Sequence, residues 1–379
     1  MLKKTFKHLK KLWQYEWDRL SQQERGELET CLSDLERAMK EKEKETNSEK
    51  ILVPRAEKIY QKITQKRKFP KMAENVDVIL VALVVAMGIR TYFFQPFKIP
   101  TNSMFPTLRG IVITPLDENQ PLPNAGQRFL NAIFKGRSYI EFDLPEKAVL
   151  RGEKSRGIFI FRTQSLYFEN NSQILEKKFR TDASAYDFLY QLIEPVKKKQ
   201  IPVNGEYHFK AQIDTGDHLF VNKMIYNFRQ PKRGDAFVFR TKGLPTDYNL
   251  QQLDSQFASQ FYIKRCVAVG NDEVRVDPPY LLINGEKARE PELRNVWEAR
   301  TTNPYYKGYS HGTEEGRTMT YLKNAQESFK VPPDHFWAMG DNSYNSADSR
   351  LFGPVPLQNL MGKAFIIYYP FNRKFWLIE

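Results

Sequence analysis

Short strand-like runs in the C-terminal half of the chain restrict its fold more than any other feature. Three such runs are rich in β-branched and aromatic residues: Leu219–Val221, Ala236–Phe239 and Phe261–Val269. Gly-Asp or Gly-Asn pairs mark the turns that adjoin them. Leu281–Ile283 leads into Asn284-Gly285, the strongest short signal for a β-hairpin. This spacing predicts a mainly β fold with an antiparallel, barrel-like domain.

An apolar run precedes these strands. Val78–Ile89 is twelve residues long without a charged side chain, and the stretch from 76 to 94 is nineteen residues long. A bilayer core requires roughly 20 residues of helix, whereas a twelve-residue run alone is equally typical of a buried core helix. Basic residues crowd its N-terminal flank and the aromatic residues Tyr92–Phe94 lie at its other end, as at membrane interfaces. We therefore expect one transmembrane helix over 76–94.

The positive-inside rule gives this predicted anchor an orientation. It places residues 1–75 in the cytoplasm and residues 95–379 on the extracytoplasmic side, as in a single-pass membrane protein. Within 1–68 the pattern is helical, because Leu9, Leu12 and Trp13 recur at helical spacing among lysines. A solvated helical hairpin or coiled coil and a basic helix lying on anionic lipid are both compatible with this pattern.

Residues 109–213 interrupt the strand-rich part of the chain. They mix a proline-rich loop with strand-like runs and a helical segment, and no internal repeat is present. We interpret this stretch as an inserted lobe to which the sequence assigns no function.

The composition narrows the chemistry. The chain has 58 Lys and Arg against 45 Asp and Glu, so its net charge of +13 suggests an acidic partner such as anionic lipid or nucleic acid. Two cysteines and five scattered histidines form no disulfide framework and no metal-ligand spacing, and they make a Ser-His-Asp triad hard to build. We expect no metal and no cofactor.

Ser103 lies between two prolines and is a candidate nucleophile that needs a base. With histidine scarce, the alternative base is a neutral lysine, which requires an apolar site because burial disfavours the ammonium form. Lys264 fits this requirement, since it lies inside the strand-like run Phe261–Val269. A lysine in a strand is more often a solvated residue, so this pattern alone does not decide its role.

A third polar stretch, Gly340–Arg350, combines Asp, Asn, Ser and Arg within eleven residues. Asp348 and Arg350 are placed to form a salt bridge, and Ser346 is placed to orient an amine. A capped polar turn is the plain alternative.

Together these stretches resemble type I signal peptidase, the membrane-bound Ser-Lys enzyme that removes signal peptides from exported preproteins. The similarity occurs in five ordered blocks that cover about an eighth of the chain and frame about half of it. The blocks are Gln95–Leu108, Gly216–Lys223, Arg233–Phe239, Tyr262–Val267 and Gly340–Arg350.

The resemblance implies a role for each matching residue. Ser103 would be the nucleophile, Lys264 the general base, and Ser346 the hydrogen-bond partner of the lysine amine. The supporting pair would be Asp348 and Arg350.

The resemblance also implies groups that contact the substrate. The oxyanion would be held by the Ser103 N–H and by the hydroxyl of Thr101, where many family members have serine. Ile99 and Ile263 would line shallow pockets for small side chains.

These roles imply partners and a location. We expect preproteins that carry signal peptides as substrates, a lipid bilayer and the secretion machinery as contacts, no nucleic acid, and the bacterial cytoplasmic membrane as the site of action. The positive charge then belongs to cytoplasmic lysines that face anionic lipid. The alternatives are a non-catalytic membrane scaffold or sensor with the same fold and a self-cleaving Ser-Lys repressor-type protein.

Overall fold

Two units form the chain, Met1–Met87 and Gly88–Glu379. The computed structural model describes residues 2–40, 45–65, 70–117, 119–157, 162–200, 202–244, 261–304, 306–313, 319–373 and 378. Each unit has a hydrophobic core of its own.

In the described part of the first unit, three helices pack together, α1 (Leu2–Glu16), α2 (Gln22–Lys40) and α3 (Glu45–Gln65). A capping box starts α2, because the Ser21 hydroxyl accepts a bond from the Glu24 N–H at 3.4 Å and the Glu24 carboxylate accepts one from the Ser21 N–H at 3.0 Å. The helical pattern predicted for this segment is therefore present.

The apolar stripe of α1 is covered by the other two helices. Leu9 and Leu12 are buried in one cluster with Leu28 and Cys31 of α2 and Ala56 of α3. A helix that lies on lipid inserts its apolar side chains into the bilayer, but here those side chains are already packed. The structure thus favours helices that pack on one another over a lipid-bound helix.

The predicted transmembrane anchor corresponds to α4 (Pro70–Tyr92). Among the described residues, no helix combines the length and the apolarity that crossing a bilayer requires. The uncharged run Val78–Ile89 is bounded by the charged residues Asp77 on its N-terminal side and Arg90 on its C-terminal side. At 1.5 Å per residue it spans only about 18 Å, whereas the hydrocarbon core is about 30 Å thick. The prediction of a transmembrane helix over 76–94 is therefore wrong.

The second unit is rich in strands. In chain order they are β1 (Phe94–Lys98), β2 (Val112–Pro115), β3 (Arg137–Pro145), β4 (Val149–Arg156), β5 (Thr163–Asn170), β6 (Gln173–Phe179), β7 (Glu206–Asp214), β8 (His218–Asn222), β9 (Ala236–Arg240), β10 (Phe261–Val269), β11 (Glu273–Asp277), β12 (Tyr280–Ile283), β13 (Glu286–Lys287), β14 (Ser328–Lys330), β15 (His335–Met339), β16 (Val355–Pro356) and β17 (Leu360–Tyr369).

Helices in this unit are short. They are α5 (Ala125–Lys135), α6 (Ala185–Phe188), α7 (Glu194–Lys199), α8 (Ile225–Phe228), α9 (Pro291–Glu298) and α10 (Ser349–Phe352), with a π-helix at Leu189–Ile193 between α6 and α7. Single 3₁₀ turns occur at Asn102–Met104, Ala299–Thr301, Ser343–Asn345 and Leu357–Asn359.

A seven-stranded antiparallel sheet forms the centre of the unit, in the order β1-β8-β17-β9-β10-β15-β16. In β9, Ala236 and Val238 belong to one hydrophobic cluster, while Phe237 and Phe239 belong to another. Both faces of this strand are therefore covered, which explains its continuous apolar run. The sheet confirms the mainly β, antiparallel prediction, although its described strands form an open order with two edges rather than a closed barrel.

A second sheet has the order β13-β12-β11-β14. Asn284 and Gly285 join β12 to β13 with φ angles of 54° and 84°, the positive values that a type I′ turn requires. The hairpin predicted at Asn284-Gly285 is confirmed.

The region 109–213 contains two three-stranded sheets, β2-β7-β3 and β4-β5-β6. Their side chains form one cluster with the helical segment α6–α7, in which Phe142 and Phe209 stack at 5.1 Å between ring centroids. A separate core of this kind fits an inserted lobe, although the domain boundaries that we predicted at 75, 94, 109 and 213 stay predictions.

Phe209→Ala should lower the free energy of unfolding by about 3–5 kcal/mol, because it removes a fully buried ring from the lobe core and leaves a cavity. Urea unfolding followed by fluorescence measures this. The control Ile174→Ala, at an exposed position of the same lobe, should change stability by less than about 1 kcal/mol. Equal effects of the two changes would contradict the assigned core.

Candidate active site

Ser103 lies in a tight loop that leaves β1 and folds back on itself. The loop residue Ile111 donates its N–H to the Pro100 carbonyl at 3.0 Å, and Gly110 donates its N–H to the side-chain oxygen of Asn102 at 2.9 Å. A Cβ at Gly110 would collide with the Thr101 carbonyl, so only glycine permits this approach. The 3₁₀ turn Asn102–Met104 that carries the serine is thereby held in place.

Asp217 anchors both ends of this loop. Its carbonyl accepts the Ile99 N–H at 2.8 Å, and its carboxylate accepts the Arg109 N–H at 2.8 Å. Arg373, near the C-terminus, pairs with the same carboxylate at 2.9 Å. Burial raises the pKa of Asp217, whereas Arg373 and the N–H of Arg109 lower it. The Gly-Asp block thus positions the segment between β1 and β2.

Lys264 meets Ser103 across the main sheet. Its side chain projects from β10, and its Nζ donates a hydrogen bond to the Ser103 Oγ at 2.8 Å. A second bond at 3.1 Å reaches the carbonyl of Ile263. Ser103 is 8% exposed and Lys264 is 4% exposed, so bulk water is largely excluded from the pair. Residues 161 positions apart are therefore in direct contact.

Burial changes the acidity of this lysine. It lowers the pKa of Lys264 from its ordinary value near 10.5 to about 8, because desolvation penalises the ammonium form. The carboxylates of Asp348 and Asp341 act in the opposite direction, and Arg350 adds to the lowering. A sizeable fraction of the amine is then neutral near pH 8, which is the condition for accepting a proton from a hydroxyl.

Ser346 lies beside this pair but does not bond to it. Its Oγ is buried and makes no hydrogen bond with any group in the described part of the chain. A Cβ at Gly340 would collide with both the Ser103 carbonyl and the Ser346 Oγ, so both residues pack against this glycine. The structure thus brings Ser346 into the site without the predicted contact to the lysine amine.

Asp348 and Arg350 form the predicted salt bridge, with 2.9 Å between the arginine Nε and the aspartate Oδ1. Both side chains are fully buried. Asp348 also accepts the Gly340 N–H at 3.1 Å, and Arg350 donates to the Ser310 carbonyl at 2.7 Å and to the Ser343 carbonyl at 2.6 Å. This pair therefore holds the polar block around the glycine that contacts Ser103.

The remaining predicted residues surround the serine. The Thr101 Oγ1 is 3.5 Å from the Ser103 Oγ. The Ser103 N–H lies in the first turn of its 3₁₀ helix, where backbone donors have no intrahelical acceptor. Ile99 is buried and Ile263 half-buried in one hydrophobic cluster with Met104. The structure thus places all eight predicted residues in or next to one site.

Sequence reasoning missed a second buried ion pair. Arg265 follows the candidate base, and its guanidinium binds both oxygens of Asp341 at 2.7 Å, with each side chain 2% exposed. Thr107 donates to the same carboxylate at 2.6 Å. The next residue, Asn342, donates its N–H to the Ser103 carbonyl at 3.0 Å. The sequence did contain one indication of this pair, because an arginine such as Arg265 inside an apolar strand requires a carboxylate nearby.

No group of three or more His, Cys, Asp and Glu side chains with metal-binding geometry occurs in the described ranges. The chemistry of the site as described is that of a buried hydroxyl, a neutralisable amine and nearby N–H and O–H donors.

Comparisons with known proteins match the chain to the same family that the five ordered blocks resemble. A protein-family model described as "Signal peptidase, peptidase S26" matches residues 199–369. That range includes Lys264 and the block Gly340–Arg350 but begins after Ser103. The chain is 32% identical over 190 residues to a signal peptidase I of Aquifex aeolicus, an alignment that covers 41% of this chain and 69% of the relative.

Two further relatives are similarly distant. A signal peptidase I of Leptolyngbya laminosa is 32% identical over 161 residues, which are 42% of this chain and 64% of the relative. A signal peptidase I of Pseudomonas fluorescens is 32% identical over 204 residues, which are 47% of this chain and 65% of the relative. The chain thus covers slightly less than two thirds of the length of these two proteins.

Asp341→Asn should lower the free energy of unfolding by about 3–5 kcal/mol, because it leaves the buried guanidinium of Arg265 without its counter-charge. Replacing both residues, as Arg265→Met with Asp341→Leu, should cost clearly less, since no unpaired charge remains. Denaturant unfolding measures both variants. The control Asp277→Asn, at an exposed strand position, should stay within about 0.5 kcal/mol of the parent protein.

A loss of less than about 1 kcal/mol in Asp341→Asn would contradict the assigned pair.

Proposed function

The chain belongs to the signal peptidase family, peptidase S26, and on that premise we propose that it is a serine endopeptidase. It cleaves N-terminal signal peptides from preproteins after small residues, with Ser103 as nucleophile and Lys264 as general base.

The observation that carries this proposal is the 2.8 Å hydrogen bond from the Lys264 Nζ to the Ser103 Oγ, between two buried side chains. A serine hydroxyl is a weak nucleophile unless an adjacent base removes its proton. Lys264 is the basic group in hydrogen-bond contact with that hydroxyl, and its lowered pKa makes the neutral amine accessible near pH 8. Position and acidity therefore support the same role.

The reaction follows the standard course of acyl transfer. Ser103 attacks the scissile carbonyl while Lys264 takes the hydroxyl proton, and the resulting ammonium then protonates the leaving amine. The new N-terminus of the mature protein departs, and the signal peptide remains as an ester on Ser103. Lys264 next activates a water molecule, which hydrolyses the ester and restores the free serine.

The oxyanion formed in both steps needs donors close to the nucleophile. The backbone N–H of Ser103 and the hydroxyl of Thr101 are the two donors that we assign. Threonine supplies the same hydroxyl as serine, but its methyl group restricts rotation about χ1. The 3.5 Å between the two hydroxyl oxygens keeps the Thr101 donor within reach of a substrate oxygen at Ser103.

Preference for small residues follows from the wall beside the serine. Ile99 and Ile263 share one packed cluster, so little depth remains for a substrate side chain. In this proposal the buried, unpartnered hydroxyl of Ser346 orients the Lys264 amine once Ser103 carries the acyl group, the role that the family resemblance implies. Contacts with lipid and with the secretion machinery, and location at the bacterial cytoplasmic membrane, stay predictions from the family resemblance.

Ser103→Ala and Lys264→Met should each reduce kcat for a purified preprotein by at least about 1,000-fold, because each removes one half of the reacting pair. Lys264→Arg should be equally inactive, since a guanidinium cannot be deprotonated. Cleavage is measured on gels with the full chain in detergent. Ser165→Ala is the matched control, because this serine is also 8% exposed but lies in the lobe.

Wild-type turnover in either Ser103→Ala or Lys264→Met would refute this mechanism. Activity in Lys264→Arg would assign the base to another group. The non-catalytic alternative predicts no cleavage by the parent protein itself.

A further inference from the structure

A cavity separate from the candidate active site lies between the β12–β13 hairpin and the helix α9. Its volume is about 690 Å³, and it opens to solvent. None of the residues assigned to the candidate active site lines it. An inference about this cavity therefore stands independently of the proposed peptidase activity.

Aromatic side chains form part of its wall. The rings of Tyr280 and Trp297 meet edge to face, with centroids 6.0 Å apart, and Trp297 is buried. The Nζ of Lys287 lies 3.3 Å from the centroid of the Tyr280 ring. This cation–π contact restricts the lysine, so that its ammonium is held at the cavity.

The lining carries an excess of positive charge. Four cations line the cavity, Lys287, Arg289, Arg294 and Arg300, against the single carboxylate of Glu298. Arg294 pairs with Glu298 at 2.9 Å, and Arg289 pairs with Glu286 at 2.5 Å.

Lys287 and Arg300 differ from the two paired arginines. In the part of the chain that the structure describes, neither forms an ion pair with a carboxylate. Two uncompensated cations at one concave, aromatic-walled site point to a ligand that brings two negative charges.

From this arrangement we infer that the cavity binds a phosphate group. A phosphate monoester carries a charge of about −1.5 to −2 near neutral pH and offers three acceptor oxygens, which match one ammonium and one guanidinium. A single carboxylate would leave one of the two cations uncompensated. The phosphate is a monoester group, and it belongs either to a soluble phosphate compound or to the headgroup of a phospholipid that ends in a phosphate monoester, which share this chemistry.

Inorganic phosphate is the first probe, titrated into the full chain by isothermal calorimetry in a phosphate-free buffer. The parent protein should bind it saturably at one site. The double variant Lys287→Gln/Arg300→Gln should bind at least about tenfold more weakly, because both charge-assisted contacts are lost. The control Lys154→Gln/Arg156→Gln removes two exposed cations from β4, with the same change in net charge, and should bind like the parent.

Vesicles test the second source of phosphate. Sedimentation with phosphatidylcholine vesicles is compared with sedimentation with phosphatidylcholine vesicles that contain phosphatidic acid, whose headgroup is a phosphate monoester. If the cavity takes a lipid headgroup, the double variant should lose binding to the anionic vesicles relative to the charge-matched control. If it takes a soluble phosphate compound, the two variants should sediment equally while their affinities for inorganic phosphate differ.

The inference is overturned if the parent protein binds neither probe. It is equally overturned if the double variant and the control are indistinguishable in both experiments, since any binding would then reflect net charge alone. Thermal unfolding of each variant verifies that the comparison is between folded proteins, because all four positions are exposed and should leave the core intact. Preprotein cleavage should be unchanged in both variants, which separates this test from that of the proposed function.

Discussion

Desolvation of one amine is the physical constraint on which the site depends. Lys264 projects from a central strand of the main sheet into a pocket where water is largely excluded, and this burial outweighs the opposing effect of two nearby carboxylates on its pKa. If the amine were solvated, it would stay charged at neutral pH and could not accept a proton from Ser103. Close contact with the serine and a lowered pKa therefore arise from the same packing.

Burying charged groups costs free energy of folding unless they are paired, and the structure contains two such buried pairs beside this site. Arg265 with Asp341 and Arg350 with Asp348 are buried ion pairs in which further hydrogen bonds satisfy the remaining polar atoms. Both pairs hold the segment from Gly340 to Arg350 against the serine loop. Asp217 holds the other side of that loop through its carbonyl and its carboxylate. The position of Ser103 is thus set by paired buried charges together with the hydrogen bonds inside its own loop.

The parts that sequence predicted correctly are those with local physical signals. Short runs rich in β-branched and aromatic residues indicated β8, β9 and β10. The Asn284-Gly285 turn indicated its hairpin, and the short spacing of Asp348 and Arg350 indicated their salt bridge. Contacts between distant segments had no such signal, so the pairing of Arg265 with Asp341, 76 residues away, was missed. The transmembrane prediction failed because flanking residues were counted with an uncharged run that is too short to span a bilayer.

The central claim is that burial, and not an additional partner, brings the Lys264 amine into the range where it is a base. The direct measurement is a pH titration of the lysine ¹³Cε resonances in the full chain, with the Lys264 signal identified by its absence in Lys264→Arg. The account predicts a midpoint for Lys264 at about pH 8. A midpoint at the ordinary lysine value of about 10.4 would contradict it.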